Sequence, residues 1–275
     1  MNAPQVSAYG NSQVGKVRST NQDSIRSQEL EEAIQEQGFL YGIADGMGGY
    51  EHGGIASTLA LETFFDTFYR GRPAKPTQNM KQGIDQANLA VCQTAQRLAA
   101  RMGTTLSAIN IVGQQLHIAH IGDSRVYLVR GRKPTCLTND HTAVGELVRM
   151  KLLSPDKVRT HDRRSVLEKC LGLQLFVQPD ITSHTLCEDD YLILCTDGLW
   201  AYVEDEEFAQ ITREVKQPER ISDALVDLAL ERNSDDNVSA LVIHIQQLGA
   251  VSGAPAPSPS RGFSQLIRSR FGGKA

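Results

Sequence analysis

Cysteine is scarce in this 275-residue chain and shows no pairing pattern. There are five, Cys92, Cys136, Cys170, Cys187 and Cys195, an odd number with no Cys-x-x-Cys among them. This argues against a disulfide framework or a zinc site, most of the thiols read as core filler, and a reducing cytoplasm is the expected setting. Long apolar runs are missing too, and nothing approaches the roughly 18 residues that would cross a bilayer. The opening MNAPQVSAYGNSQ has no basic stretch leading into an apolar one, so no signal peptide is expected. Positive charge is not in excess: the net charge is -4, which gives no reason to expect a nucleic-acid partner. Neither G-x-x-x-x-G-K nor a G-x-G-x-x-G after a strand occurs, and the glycines between Gly46 and Gly54 fit neither pattern. Kinase and nucleotidase readings fall with them.

What is present suits one large domain with a tail. Short segments rich in Val, Ile, Leu and Tyr predict strands at Val6–Gly10, Phe39–Ala44, Thr105–Val112, Gln115–Ile121, Arg125–Arg130, Tyr191–Thr196 and Val238–Ile245. The piece INIVGQQLHIAHIG predicts a hairpin about Gly113–Gln114. Helices are predicted at Gly54–Tyr69, Gln78–Arg101, Ala143–Lys151, Asp205–Glu214 and Pro218–Arg232, with Pro218 in a first turn. Ser154 ahead of Pro155 predicts a capped start to a further short helix. Strands and helices come in pairs rather than in strict alternation. That order predicts an α+β layered sandwich with mostly antiparallel sheet.

Aspartates recur where a strand meets a tight turn. They stand in Ala44-Asp45-Gly46, Gly122-Asp123-Ser124, Thr196-Asp197-Gly198 and Asp235-Asp236-Asn237-Val238. Any one of these alone reads as ordinary turn chemistry. If neighbouring strands of one sheet stop at one edge, however, the four converge. Convergent carboxylates repel unless a cation lies between them. Oxygen ligands without His or Cys select Mg²⁺ or Mn²⁺, and adjacent glycines let backbone carbonyls approach. Two such ions about 3.5–4 Å apart suit in-line attack of water on phosphorus. Arg18, ahead of Asn21-Gln22-Asp23, is placed to grip phosphate oxygens by its fork.

Arg18-x-x-Asn21-Gln22-Asp23, Ala44-Asp45-Gly46-Met47-Gly48-Gly49, Gly103-Thr104-Thr105, Gly122-Asp123-Ser124-Arg125, Asp140-His141-Thr142, Leu171-Gly172, Thr196-Asp197-Gly198-Leu199-Trp200 and Asp236-Asn237-Val238-Ser239 follow one another in order. In this the chain resembles the PPM (type 2C) family of protein phosphatases, its bacterial members above all, over about residues 5 to 246. The resemblance implies a four-layer α-β-β-α sandwich, two antiparallel sheets flanked by helix pairs, with metals at one sheet edge. It implies metal-dependent hydrolysis of phosphoserine and phosphothreonine in proteins, reversing a bacterial Ser/Thr kinase. It implies that Asp45 bridges two metals, with the Gly46 carbonyl on one, and that Asp197 and Asp236 complete the first. Asp123 with Asp197 would form a third, weaker site, Asp23 would act one water removed from a metal, and Arg18 would bind substrate phosphate. The alternative is a catalytically silent relative that binds phosphoproteins; the intact aspartate set argues against it.

Two departures stand out. Many eukaryotic members carry His after the Asp-Gly pair as the acid for the leaving alkoxide; here it is Met47, so the acid is unassigned and a water on a cation is the expected donor. A Glu often precedes the first Asp; here it is Gln22. The domain is expected to span residues 1–247 as a monomer, with a flap at about 143–169 whose Arg149, Lys151, Lys157, Arg159, Arg163 and Arg164 suit phosphorylated peptides. The Gly/Ala/Pro/Ser-rich 248–262 reads as a flexible linker. In 263–275, Phe263, Leu266, Ile267 and Phe271 fall at helical spacing with Arg268, Arg270 and Lys274 beside them. That pattern is either chance in a solvated tail or a docking segment for a partner or an anionic membrane.

Overall fold

The computed structural model describes residues 4–28, 37–48 and 52–248. Gly49, the linker from residue 249 onward and the tail 263–275 lie outside the described residues. Two antiparallel sheets face each other. One has the order β1 (Gln5–Gln13), β11 (Val238–Gln247), β10 (Tyr191–Cys195), β7 (Arg125–Arg130), β8 (Lys133–Cys136). The other runs β2 (Asp23–Ser27), β3 (Phe39–Gly48), β5 (Leu106–Val112), β6 (Gln115–Ile121), β9 (Asp180–Thr185), with β4 (Met102–Thr104) pairing the far end of β3. Helices α1 (His52–Arg70) and α2 (Pro76–Leu98) cover the second sheet; α5 (Asp205–Val215) and α6 (Pro218–Glu231) cover the first. Two shorter helices, α3 (Ala143–Arg149) and α4 (Asp197–Trp200), follow β8 and β10 in the chain.

The four layers follow from the sequence of β10, Tyr191-Leu192-Ile193-Leu194-Cys195, all of it buried. Tyr191, Ile193 and Cys195 face the helices, whereas Leu192 and Leu194 meet Ile43, Ile109, Ile118 and Ile243 between the sheets. A strand with two buried faces shows a continuous apolar run instead of alternation. On the opposite side Phe64, Phe65 and Phe68 of α1 pack against Met80 and Ile84 of α2.

The expected strands and helices are all present, with ends moved by up to four residues. The helix predicted to Arg101 stops at Leu98, because Ala99 takes a left-handed conformation (φ 48°). The hairpin turns at Gly113, between partners Val112 and Gln115. Ser154 does precede a short 3-10 turn at Pro155–Lys157, but its hydroxyl pairs with the Asp156 carboxylate and caps no backbone N–H. Thr142 is the residue that caps here, accepting from Gly145 N at 3.0 Å ahead of α3. Strands β2, β4, β8 and β9 and helix α4 were not expected. Apart from the short β4 these strands are half-exposed, three of them at sheet edges, so they show little apolar signal, and β8 carries a proline that only an edge tolerates. Phe64 is fully buried at the helix–helix contact. Phe64→Ala should lower unfolding free energy by about 3–5 kcal/mol in urea denaturation.

Candidate active site

The inter-sheet core brings the ends of both sheets to one place. Asp23 and Asp45 sit opposite each other in the β2–β3 register. Asp197 opens α4 directly after β10, and Asp236 stands just ahead of β11 in the other sheet. Asp123 lies in the link by which the chain leaves β6 of one sheet for β7 of the other. The expectation of a single sheet edge is thus corrected: the aspartates come from two sheets and their connection. Asp45, Asp123, Asp197 and Asp236 line one cavity of about 700 Å³, together with Arg18, Gly46, Met47, Arg101, Ser165 and Leu167. Asp23 stands behind that wall and accepts from Ser239 Oγ (2.6 Å) and Thr196 Oγ1 (2.8 Å).

Neutral polar groups hold these acids in place. The Asp45 N–H donates to Thr105 Oγ1 (2.9 Å), and its carbonyl accepts from Thr105 N and Thr104 Oγ1 (both 2.9 Å). Gly46 has room for nothing larger, since a Cβ there would lie 2.0 Å from the Gly53 carbonyl oxygen at the start of α1. Trp200 Nε1 donates to the Asp123 carbonyl at 2.9 Å. Gly122, beside Asp123, donates to His141 Nδ1 (3.1 Å) and accepts from His141 N (2.7 Å). Asn237 Nδ2 donates to the carbonyls of Val14 and Thr20, and Asn237 Oδ1 accepts from Gln22 N. One buried amide therefore ties the loop bearing Arg18 to the strand start bearing Asp236. Arg18 Nη2 donates to Asp236 Oδ2 at 2.7 Å from a half-exposed position.

The flap reaches the cavity through Leu167 and Ser165, whose Oγ lies 3.4 Å from Asp197 Oδ2. Its positive charge is less available than the sequence implied. Arg159 donates to the carbonyls of Trp200 and Val203 and to Asp205, fastening the flap to the body, and Arg149 pairs with Glu146.

Burial and mutual repulsion raise the affinity of these acids for protons. Desolvation is the larger cause for each, followed for Asp45 by Asp23 and Asp197, and for Asp123 by Asp197; both carboxyls are held well above the usual range. Desolvation lifts Asp197 to about 6, Asp236 adding to it and Arg164 opposing. Asp23 rises to about 7 by burial, although the Ser239 and Thr196 hydroxyls pull the other way. Asp197 Oδ1 is buried with no hydrogen-bond partner. An all-oxygen donor set with an orphaned carboxylate oxygen fits a hard divalent cation. Among the described residues no three acids already surround a single point in ligating geometry, Asp236 being turned toward Arg18.

A family model described as protein phosphatase 2C matches residues 7–149 and 169–238. The chain belongs to the protein phosphatase 2C family. This phosphatase is 30% identical over 245 residues to protein phosphatase PhpP of Streptococcus pneumoniae, covering 85% of this chain and 95% of that one. It superposes on the Mycobacterium tuberculosis serine/threonine phosphatase PstP/Ppp with a TM-score of 0.79 at 29% identity, over 88% and 99% of the two chains. A PstP catalytic domain solved with two manganese ions gives a TM-score of 0.77 at 27% identity, over 88% and 99%. The protein is a metal-dependent phosphatase acting on phosphoserine and phosphothreonine in proteins.

Thr105, Thr196, Trp200, Asn237 and Ser239 lie within the motifs of the sequence, yet their role in holding the acids is not visible there. Their partners are distant in sequence and carry no local signal. The raised carboxyls have a measurable consequence. An acid whose folded pKa is raised favours the folded state while protonated, and that contribution is lost as pH rises through about 6 for Asp197 and about 7 for Asp23. A cation replaces the lost protons. The rise in Tm on adding Mn²⁺ should therefore be small at about pH 5 and larger at about pH 8, read by thermal melts.

Proposed function

We propose that Asp45, the Gly46 carbonyl, Asp197 and Asp236 hold two divalent cations of the Mg²⁺ or Mn²⁺ class, and that Arg18 receives the substrate phosphate. The observation that carries this reading is the single cavity in which Arg18 meets four carboxylates, three of them, Asp45, Asp123 and Asp197, desolvated. The two manganese ions of the PstP relative support it. Such ions, when bound, would neutralise phosphoryl oxygens and supply an activated water for in-line attack.

The chain's own residues do the rest. Arg18 exchanges its hydrogen bond to Asp236 for the phosphate oxygens, which orients the phosphorus toward Asp45. Asp45, central and anchored by Thr104 and Thr105, sets the position of everything it touches. Asp123, whose carboxylate is repelled by that of Asp197, would with it provide a third and weaker cation position. Asp23, behind Asp45 and fixed by two hydroxyls, orders water and does not itself ligate. The substrate is a cytoplasmic protein phosphorylated by a Ser/Thr kinase, and the basic tail at 263–275 contacts a partner or an anionic membrane.

Hydrolysis of p-nitrophenyl phosphate and of a phosphothreonine peptide, with and without Mn²⁺, separates a catalyst from a silent phosphoprotein binder. EDTA should abolish turnover and Mn²⁺ or Mg²⁺ should restore it; full activity in EDTA would contradict the reading. A guanidinium that grips ground state and transition state alike mainly lowers KM. Arg18→Ala should therefore raise KM more than it lowers kcat, and Arg18→Lys should recover little because the fork is lost. An unchanged KM in both variants would remove Arg18 from the phosphate.

A further inference from the structure

The segment after the flap, Leu171-Gly172-Leu173-Gln174-Leu175-Phe176, is fastened from behind and yet apolar in front. Leu171 pairs with Thr104 through two backbone hydrogen bonds (2.9 and 3.1 Å). The buried Asn88 of α2 uses its whole amide on this segment. Its Oδ1 accepts from Gly172 N (2.9 Å), and its Nδ2 donates to the carbonyls of Gln174 (2.8 Å) and Leu175 (3.1 Å). Gly172 adopts φ +92°, and a Cβ there would lie 2.5 Å from Val91. A loop held this firmly does not expose its apolar side chains through looseness. Leu173, Leu175 and Phe176 are nonetheless 42%, 65% and 90% exposed.

Leu173 also lines the catalytic cavity. With Leu175 it walls a shallow groove of about 380 Å³ against Ala95, Ala99 and Ala100 near the C-terminal end of α2. Leu173 thus joins the groove to the cavity proposed to hold phosphate, and the groove is lined mostly by small residues, with the Gln96 amide among them. The geometry points to a specificity surface: the Leu173–Leu175–Phe176 ledge takes an apolar side chain flanking the phosphorylated residue of the protein substrate. This rests on the proposal that phosphate binds beside Arg18 and Asp45. The chain on one side of the phosphorylated residue leaves the cavity over Leu173, and a leucine- or phenylalanine-sized group there covers apolar surface on both partners. Area removed from water on that scale contributes mainly to binding, so the discrimination appears in KM.

The test uses phosphothreonine peptides in which one leucine is placed in turn at each flanking position, against an all-serine parent. Wild type should favour one or two leucine positions by roughly fivefold to tenfold in KM at similar kcat. The double variant Leu175→Ser, Phe176→Ser removes exposed side chains that do not line the catalytic cavity. It should retain the melting temperature and p-nitrophenyl phosphate kinetics of wild type while losing the leucine preference. Equal KM for all peptides in wild type, or a preference that survives in the variant, overturns the proposal. So does a change in sedimentation with no change in peptide preference, which would make the ledge a contact between copies of the chain. A protein that hydrolyses neither peptide nor p-nitrophenyl phosphate would instead refute the phosphate site itself.

Discussion

Carboxylates repel, and this fold forces several of them into one cavity. The apolar layer between the sheets, built from Ile43, Ile109, Ile118, Leu192, Leu194 and Ile243, determines where both sheets end, and the aspartates stand at those ends. The cost of that placement appears as proton affinities pushed upward at Asp23, Asp45, Asp123 and Asp197. A cation is the charge that turns the same arrangement from unfavourable to favourable. Metal dependence is therefore a property of the scaffold as much as of the ligands.

Neutral side chains make the arrangement rigid. Thr105, Trp200, Asn237 and Ser239 satisfy backbone or carboxylate atoms of the acidic residues or of the loop that brings Arg18 beside them. Preorganised polar groups of this kind keep reacting atoms from having to be reordered at each turnover. The flap is joined to the same framework, because Arg159 bonds to the carbonyl of Trp200 while the Trp200 indole holds Asp123.

Much of this was legible in the sequence where chemistry is local. The Asp-Gly turns after apolar runs and the buried strands such as 191–195 announced themselves through residue type and spacing. The antiparallel sandwich followed from element order. Edge strands such as β8 and β9 were not legible, because half their residues face solvent and their pairing partners supply the order. The origin of the site in two sheets was hidden too, since Asp45 and Asp236 are joined only by the tertiary fold. The Arg18–Asp236 ion pair and the anchoring of the flap by Arg159 likewise join residues far apart in sequence. The exposed Leu175 and Phe176 carry no local signal either, because the group that fixes their segment, the Asn88 amide on the carbonyls of Gln174 and Leu175, lies far off in the chain.

The central claim is that Asp45 is the carboxylate on which both tight cation positions depend. Calorimetric titration of the metal-stripped protein with Mn²⁺, in wild type and in Asp45→Asn, tests it without reference to turnover. The account predicts at least two tight equivalents in wild type and loss of both in the variant, with the fold retained by circular dichroism. Unchanged stoichiometry and affinity in Asp45→Asn would contradict it.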